Sequence, residues 1–105
     1  MNRGETWQRQ LRHVITPYVG SDGLEEGTSG MVDAAAGHHD VHERFVSTIQ
    51  RGLHELDIDE AEVRRMLDSA GFPFQRRQQT LEFLQRLQAL YLAKYRERAD
   101  SVKKT

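Results

Sequence analysis

Cysteine is absent from this 105-residue chain. Its absence excludes disulfides, thiolate zinc sites, iron–sulfur clusters and a cysteine nucleophile. A chain of this size forms one domain, or one domain and a tail, and leaves little room for a deep substrate pocket. Without covalent or metal staples, so small a domain depends on packing or on oligomerisation.

Long apolar runs are also missing, since no stretch approaches the roughly 20 residues that span a bilayer. The first five residues lead into a mixed polar segment rather than the apolar core of a signal peptide. We therefore expect a cytoplasmic protein without a membrane partner. Arginine far outnumbers lysine, a compositional bias that favours a GC-rich bacterial or phage source.

Strand-like alternation of useful length is absent, and the apolar residues recur instead at helical spacing. A first helix is predicted over residues 6–16, with Thr6 as its N-cap and Pro17 ending or kinking it near Ile15. Its apolar face follows a 3.6-residue period at Trp7, Leu11, Val14, Ile15 and Tyr18.

The next segment is rich in glycine rather than in apolar residues. Its glycines, set among serine, threonine and aspartate, are Gly20, Gly23, Gly27, Gly30 and Gly37. Such a composition is typical of flexible linkers. We therefore predict a flexible, acidic linker over residues 20–39, with at most a short helical turn near 31–36.

Two acidic signals mark helix starts in the rest of the chain. Asp40 and Asp57 each lie three residues before a glutamate, which is an acidic form of the capping box. The second helix is therefore predicted to begin after Asp40. The third is predicted over residues 58–70, with Ile58 in its buried stripe.

The last helix is predicted to be the longest, covering residues 73–100. Gly71 has the place of a C′ glycine that ends the preceding helix, and Pro73 suits the first turn of the next one. The fold is thus predicted to be an all-α bundle of about four helices. Its parts are an N-terminal amphipathic helix (1–19), the flexible linker (20–39) and a three-helix core (40–105).

Charge is divided unevenly along the chain, although the net charge is only −1. Residues 20–43 carry six acidic side chains and no lysine or arginine, whereas residues 72–105 carry eight basic and three acidic side chains. One interpretation is a solvated acidic linker and a solvated basic helix face. The other is that the acidic segment screens the basic helix until a partner displaces it.

Three histidines cluster near the start of the second helix. His38, His39 and His42 lie beside Asp40 and Glu43. Three imidazoles and a carboxylate could together bind zinc or nickel, and the imidazoles also allow a response to pH. The alternative is a polar, solvent-facing helix start. A metal-responsive protein is therefore one hypothesis for function.

The third helix, the turn at Gly71 and the last helix resemble a helix-turn-helix in outline. Arg76, Arg77 and Gln79 would then lie near the start of a recognition helix, where arginine pairs with guanine and glutamine with adenine. The great length of the last helix and the acidity of the one before it favour an ordinary helical hairpin instead. A DNA-binding transcriptional regulator is a second hypothesis.

A catalytic signature is missing from the sequence. Ser47, Thr48 and Ser69 lie in predicted helices without a glycine-flanked elbow. The glycines of residues 20–30 lack the lysine and the preceding strand of a phosphate loop. We therefore expect neither enzymatic activity nor a cofactor.

The last helix carries the widest apolar arc in the chain. Its main stripe includes Leu84, Leu87, Tyr91 and Tyr95. So broad an arc is typical of a helix that contacts two neighbours at once, or a second chain. We expect these four side chains to bind a protein partner, and that partner can be a second copy of the chain in a homodimer. The main hypothesis is a small helical regulator or adaptor that acts by binding protein.

Overall fold

The computed structural model describes residues 6–103, with side chains at 6–20 and 23–100. These residues form five α-helices and one π-helical segment, with no strand, so the all-α class is confirmed. The elements are α1 (Trp7–Val14), the π segment (Ile15–Gly20), α2 (Ser21–Ala35), α3 (His39–Ile58), α4 (Glu60–Ser69) and α5 (Arg77–Lys103). The first five residues and the side chains of Asp22, Lys103 and Lys104, which entered the signal-peptide and charge predictions, lie outside this description.

The start of α1 agrees with the sequence prediction. The Thr6 hydroxyl accepts a hydrogen bond from the Arg9 backbone amide (3.3 Å), which satisfies a free donor of the first turn. The α-helix ends at Val14, as expected from Pro17, which lacks an amide hydrogen. The chain then continues through the π segment instead of unwinding, and this segment buries its apolar side chains in the same core as α1.

The prediction of a linker over residues 20–39 is wrong for most of its length, because Ser21–Ala35 forms α2. The backbone leaves helical geometry only at Gly23, where two helical pieces meet. Met31 and Val32 are at most 3% exposed. Burial in the core therefore stabilises a helix that its glycines alone would disfavour.

α3 begins at His39, before the predicted start. His38 has the N-cap position without a side-chain capping bond, and Asp40 lies in the first turn, so Asp40 is not the N-cap. An acidic residue in the first turn still stabilises the helix through its dipole. Gly52 is buried at a close helix crossing, because a Cβ there would lie 3.0 Å from Cδ2 of Leu11.

α4 is capped by Asp59 rather than by Asp57. The Asp59 carboxylate accepts a hydrogen bond from the Glu62 backbone amide (3.2 Å). α3 therefore extends through Ile58. The Ile58 side chain is 65% exposed, so the prediction that it is buried is wrong.

Gly71 ends α4 as the sequence predicts. Its positive φ of 100°, which glycine adopts without strain, turns the chain back so that two backbone amides reach carbonyls in the last turn of α4. The Phe72 amide donates to the Leu67 carbonyl (2.9 Å), and the Gly71 amide donates to the Asp68 carbonyl (3.0 Å). These are the two bonds of a Schellman motif, which satisfy carbonyls at the end of α4.

α5 begins at Arg77, later than the predicted start at residue 73. The Gln79 side-chain oxygen accepts hydrogen bonds from the backbone amides of Gln75 and Arg76, both at 3.0 Å. This is the glutamine half of a capping box, and it sets the helix start. Pro73 therefore belongs to the connection between α4 and α5 rather than to the first turn of α5.

A single core joins all the helices. Each helix contributes a side chain with no exposed surface, namely Leu11, Met31, Ile49, Leu67 and Leu87 in order from α1 to α5. The described N-terminal residues therefore pack on the three C-terminal helices. This packing places α1, the π segment and α2 on one side of α3, where they form the walls of a cleft.

Candidate functional site

The predicted partner-binding stripe of α5 lies largely inside the molecule. Leu84, Leu87 and Tyr91 are fully buried in the core of the single chain, and only Tyr95 is partly exposed. The wide apolar arc of α5 is thus used by neighbours in its own chain. A partner could contact the three buried side chains only if the helices of this chain separated.

The three histidines of the predicted metal site point in different directions. His38 is exposed at the N-cap of α3, and exposed His39 pairs with Glu43 through a contact of 3.0 Å. His42 contacts α5 instead. Among the residues that the structure describes, no group of three or more histidine, aspartate or glutamate side chains is arranged to hold a metal ion.

His42 joins α3 to α5 through aromatic contacts. Its Nδ1 is 2.7 Å from the hydroxyl of Tyr91, and its ring stacks on Tyr95 with centroids 3.7 Å apart. Burial and then the nearby His39 lower the pKa of His42, an effect that Glu43 opposes. Burial and the nearby Tyr95 raise the pKa of Tyr91. When the neutral imidazole carries its proton on Nε2, its Nδ1 accepts a hydrogen bond from the Tyr91 hydroxyl.

The residues predicted to contact DNA lie together at the start of α5, but two of them have partners. Gln79 caps the helix through its side-chain oxygen. Arg77 pairs with Asp57 at the end of α3, with 3.0 Å between the charged groups. Arg76 is exposed beside them. A base contact by Gln79 would therefore compete with the cap that starts α5.

A cleft of about 510 Å³ lies between α1, the π segment, the end of α2 and the first half of α3. Its apolar lining residues are Val14, Pro17, Tyr18, Ala34, Val41 and Phe45, of which Val14 and Phe45 are at most 5% exposed. The Tyr18 and Phe45 rings meet edge to face with centroids 5.6 Å apart, an arrangement that holds both rings in place. The volume lies within the range of about 300–1,000 Å³ that is usual for ligand sites.

The π segment and a glycine of α2 together shape the cleft. Pro17 and Tyr18 of the π segment line it, and π-helical turns are frequent at functional sites. α2 approaches the π segment so closely that a Cβ at Gly27 would lie 2.6 Å from Cα of Val19. This approach positions the end of α2, with Ala34, in the cleft wall.

The polar part of the cleft is neutral or cationic. Gln10 and His13 come from α1, and Arg44 and Thr48 come from α3. No acidic residue belongs to the described lining. Arg44 is exposed and carries a permanent positive charge. The cleft can therefore attract a carboxylate at its rim while its aromatic floor receives an apolar group.

Sequence reasoning missed this cleft although its α3 residues have a clear period. Val41, Arg44, Phe45 and Thr48 lie at i, i+3, i+4 and i+7, which is one helix face. That spacing indicates a face directed toward other helices, but it does not show whether the face borders a core or a cavity. The cleft exists only because α1, the π segment and α2 meet α3 in the folded chain.

Two more open depressions, of about 470 and 410 Å³, lie between α2 and α5 and beside α4. Within the described part of the chain, no helix combines the length and apolar character needed to cross a membrane.

Comparisons with models of protein families, with curated proteins and with solved structures found no match. The case for a function therefore depends on the geometry of the cleft.

Proposed function

We propose that the chain is a small helical interaction module, a regulator or adaptor that binds a segment of a partner protein in the cleft. The observation that supports this proposal is the combination of an aromatic floor and a cationic rim in one concave surface. Tyr18 offers a rigid ring that the buried Phe45 ring supports edge to face, and aromatic residues anchor protein interfaces because they bury a large area at low entropic cost.

The occupant that fits this chemistry is a short peptide segment with an apolar side chain next to a carboxylate. The apolar group would lie against Tyr18, Ala34 and Val41, where burial of one large side chain contributes about 1.5–3 kcal/mol. The carboxylate would pair with Arg44. At an exposed rim such a pair contributes up to about 1 kcal/mol, and it also orients the ligand and speeds association.

Selection from a phage-displayed library of random peptides tests the proposal. The wild-type chain and the variants Ala34→Tyr and Ala89→Tyr are immobilised separately and screened with the same library. Ala34 lines the cleft, so a tyrosine there would fill it, whereas Ala89 is exposed on α5 and provides a matched substitution elsewhere. Circular dichroism establishes first that the three proteins are equally helical.

We expect the wild-type chain and Ala89→Tyr to enrich the same peptides, which would carry an apolar residue beside aspartate or glutamate. Ala34→Tyr should not enrich them. If all three proteins enriched the same peptides, the binding surface would lie outside the cleft. If the enriched peptides lacked acidic residues, the role given to Arg44 would be wrong.

A further inference from the structure

The acidic α2 lies directly on the basic part of α5. Nη1 of Arg98 is 2.7 Å from the Asp33 carboxylate. Lys94 Nζ donates a hydrogen bond to the Ser29 hydroxyl (2.9 Å) and another to the backbone carbonyl of Glu25, and it lies 3.9 Å from the Glu25 carboxylate. The two oppositely charged segments of the sequence are thus paired within the chain, helix against helix.

Two aromatic side chains lie on the same side of α5 as these cations, and both rings also contact His42 of α3. Tyr91, Lys94, Tyr95 and Arg98 lie at i, i+3, i+4 and i+7, which places them on one side of α5. We refer to these four residues as the basic aromatic face. Its chemistry is suited to an amphipathic helix that carries carboxylates beside apolar residues.

α2 is a weak helix by its own composition. Gly27 and Gly30 lie inside its helical part, and a glycine in a helix interior costs about 1 kcal/mol relative to alanine. The ion pair of Arg98 with Asp33 is well exposed, at 48% and 70% of the two side chains, so it contributes little. α2 is therefore held on α5 mainly by its buried apolar residues, which another helix could replace.

We infer that the basic aromatic face is a docking surface for an acidic amphipathic helix of a partner protein, and that α2 occupies it in the free chain. The arriving helix would present two carboxylates about two turns apart, as Glu25 and Asp33 do. It would also present small apolar residues between them, so that the core stays covered during the exchange. The arriving helix needs a glycine where Gly27 approaches the π segment, but it can carry alanine in place of Gly30, which removes a propensity cost of about 1 kcal/mol.

Hydrogen exchange of the full native chain tests whether α2 can leave α5 without global unfolding. We expect the α2 amides of the wild-type chain to exchange through a smaller opening than the amides at the centre of α3. Arg98→Glu should accelerate exchange in α2 by about two- to ten-fold, since it replaces an attraction to Asp33 with repulsion. Arg96→Glu, exposed on the same helix, is the matched control and should leave α2 unchanged.

If the α2 amides of the wild-type chain exchanged as slowly as those at the centre of α3, α2 would leave only on global unfolding, and the inference would be wrong. Equal acceleration of α2 by Arg96→Glu and Arg98→Glu would also overturn it. In that case, the overall charge of α5 rather than the contact of Arg98 with Asp33 would determine how firmly α2 is held.

Recognition by the basic aromatic face is tested with a fluorescent peptide that has the sequence of residues 21–36. The peptide is titrated into the full chain carrying Asp33→Lys, whose own α2 is held less tightly, and into the same variant carrying Arg98→Gln as well. We expect the first protein to bind the peptide and the second to bind it at least several-fold more weakly. A peptide with lysine in place of Glu25 and Asp33 should bind the Asp33→Lys chain poorly. Equal binding of the two peptides, or no binding of either, would contradict the inference.

Discussion

At the scale of single residues, the lack of a side chain at Gly27 determines how closely α2 packs on the π segment. A Cβ at Gly27 would lie 2.6 Å from Cα of Val19 and 2.9 Å from the backbone carbonyl of Tyr18. These neighbours are backbone atoms, so no side-chain rotation relieves the overlap. At Gly30 the nearest atom is Cδ1 of the Tyr18 ring, at 3.4 Å, which a small rotation of the ring can move away.

The two glycines make a matched pair of substitutions. Gly27→Ala is expected to lower the free energy of unfolding by about 1–3 kcal/mol, because overpacking outweighs the gain of up to about 1 kcal/mol in helix propensity. Gly30→Ala should be neutral or should raise that free energy. Urea unfolding followed by circular dichroism measures both. If the two changes had equal effects, α2 would not approach the π segment so closely.

His42 gives the chain a pH dependence of known sign. Its pKa in the folded chain is lowered below 6.5, so the folded state favours the neutral ring, whose Nδ1 lies 2.7 Å from the Tyr91 hydroxyl. The stabilisation from this group is therefore fully present above pH 6.5 and is lost progressively as the pH falls below that value.

His42→Gln isolates this contribution, because the glutamine oxygen can accept a hydrogen bond from Tyr91 but does not titrate. Below pH 6.5, the free energy of unfolding of the wild-type chain should decrease more steeply than that of the variant. Urea unfolding at a series of pH values supplies the comparison. Parallel curves for the two proteins would rule out the proposed role of His42.

At the scale of elements, some local signals in the sequence predicted helix ends correctly, whereas the acidic pairs that begin at Asp40 and Asp57 gave wrong helix starts. The cap at Thr6 and the end of α4 at Gly71 could be predicted because each depends on neighbouring residues alone. α2 was missed, although Gly20 at the end of the π segment and the α2 glycines at 23, 27 and 30 recur at helical spacing. That helix depends on burial against the π segment and α5, and propensity does not show burial.

Asp57 and Asp59 both lie just before α4, and the sequence alone does not show which of them caps the helix. Asp59→Ala removes the cap and should cost about 1 kcal/mol of stability. Asp57→Ala removes only an exposed pair with Arg77 and should cost less. Urea unfolding of both variants under one set of conditions provides the test. A larger loss for Asp57→Ala would reassign the cap to that residue.

At the scale of the whole molecule, the buried stripe of α5 serves the core of a single chain. Leu87 has no exposed surface. Leu87→Ala is therefore expected to cost about 2–5 kcal/mol, a large part of the roughly 5–15 kcal/mol that stabilises a typical domain. The thermal midpoints of the wild-type chain and the variant should not depend on protein concentration. A loss of stability that appeared only in dilute samples would place Leu87 at an interface between two copies.

The cleft also belongs to a larger scale than one element, because four consecutive elements form it together. Helical periods predicted most of the elements, and Val41 and Phe45 share one face of α3. Those periods do not show how the elements that form the cleft, namely α1, the π segment, α2 and α3, are placed relative to one another. For this reason the sequence predicts the binding site on α5, whose apolar arc is the widest.

The most direct test of the cleft as the partner-binding site is a map of amide chemical shifts. The isotopically labelled full chain is titrated with the peptide most enriched by phage selection, beside an Arg44→Glu variant. We predict that the largest shifts occur in the cleft-lining parts of α1, the π segment and α3, and that Arg44→Glu weakens binding roughly ten-fold. Shifts confined to α4 and the start of α5, with no effect of Arg44→Glu, would contradict the proposal.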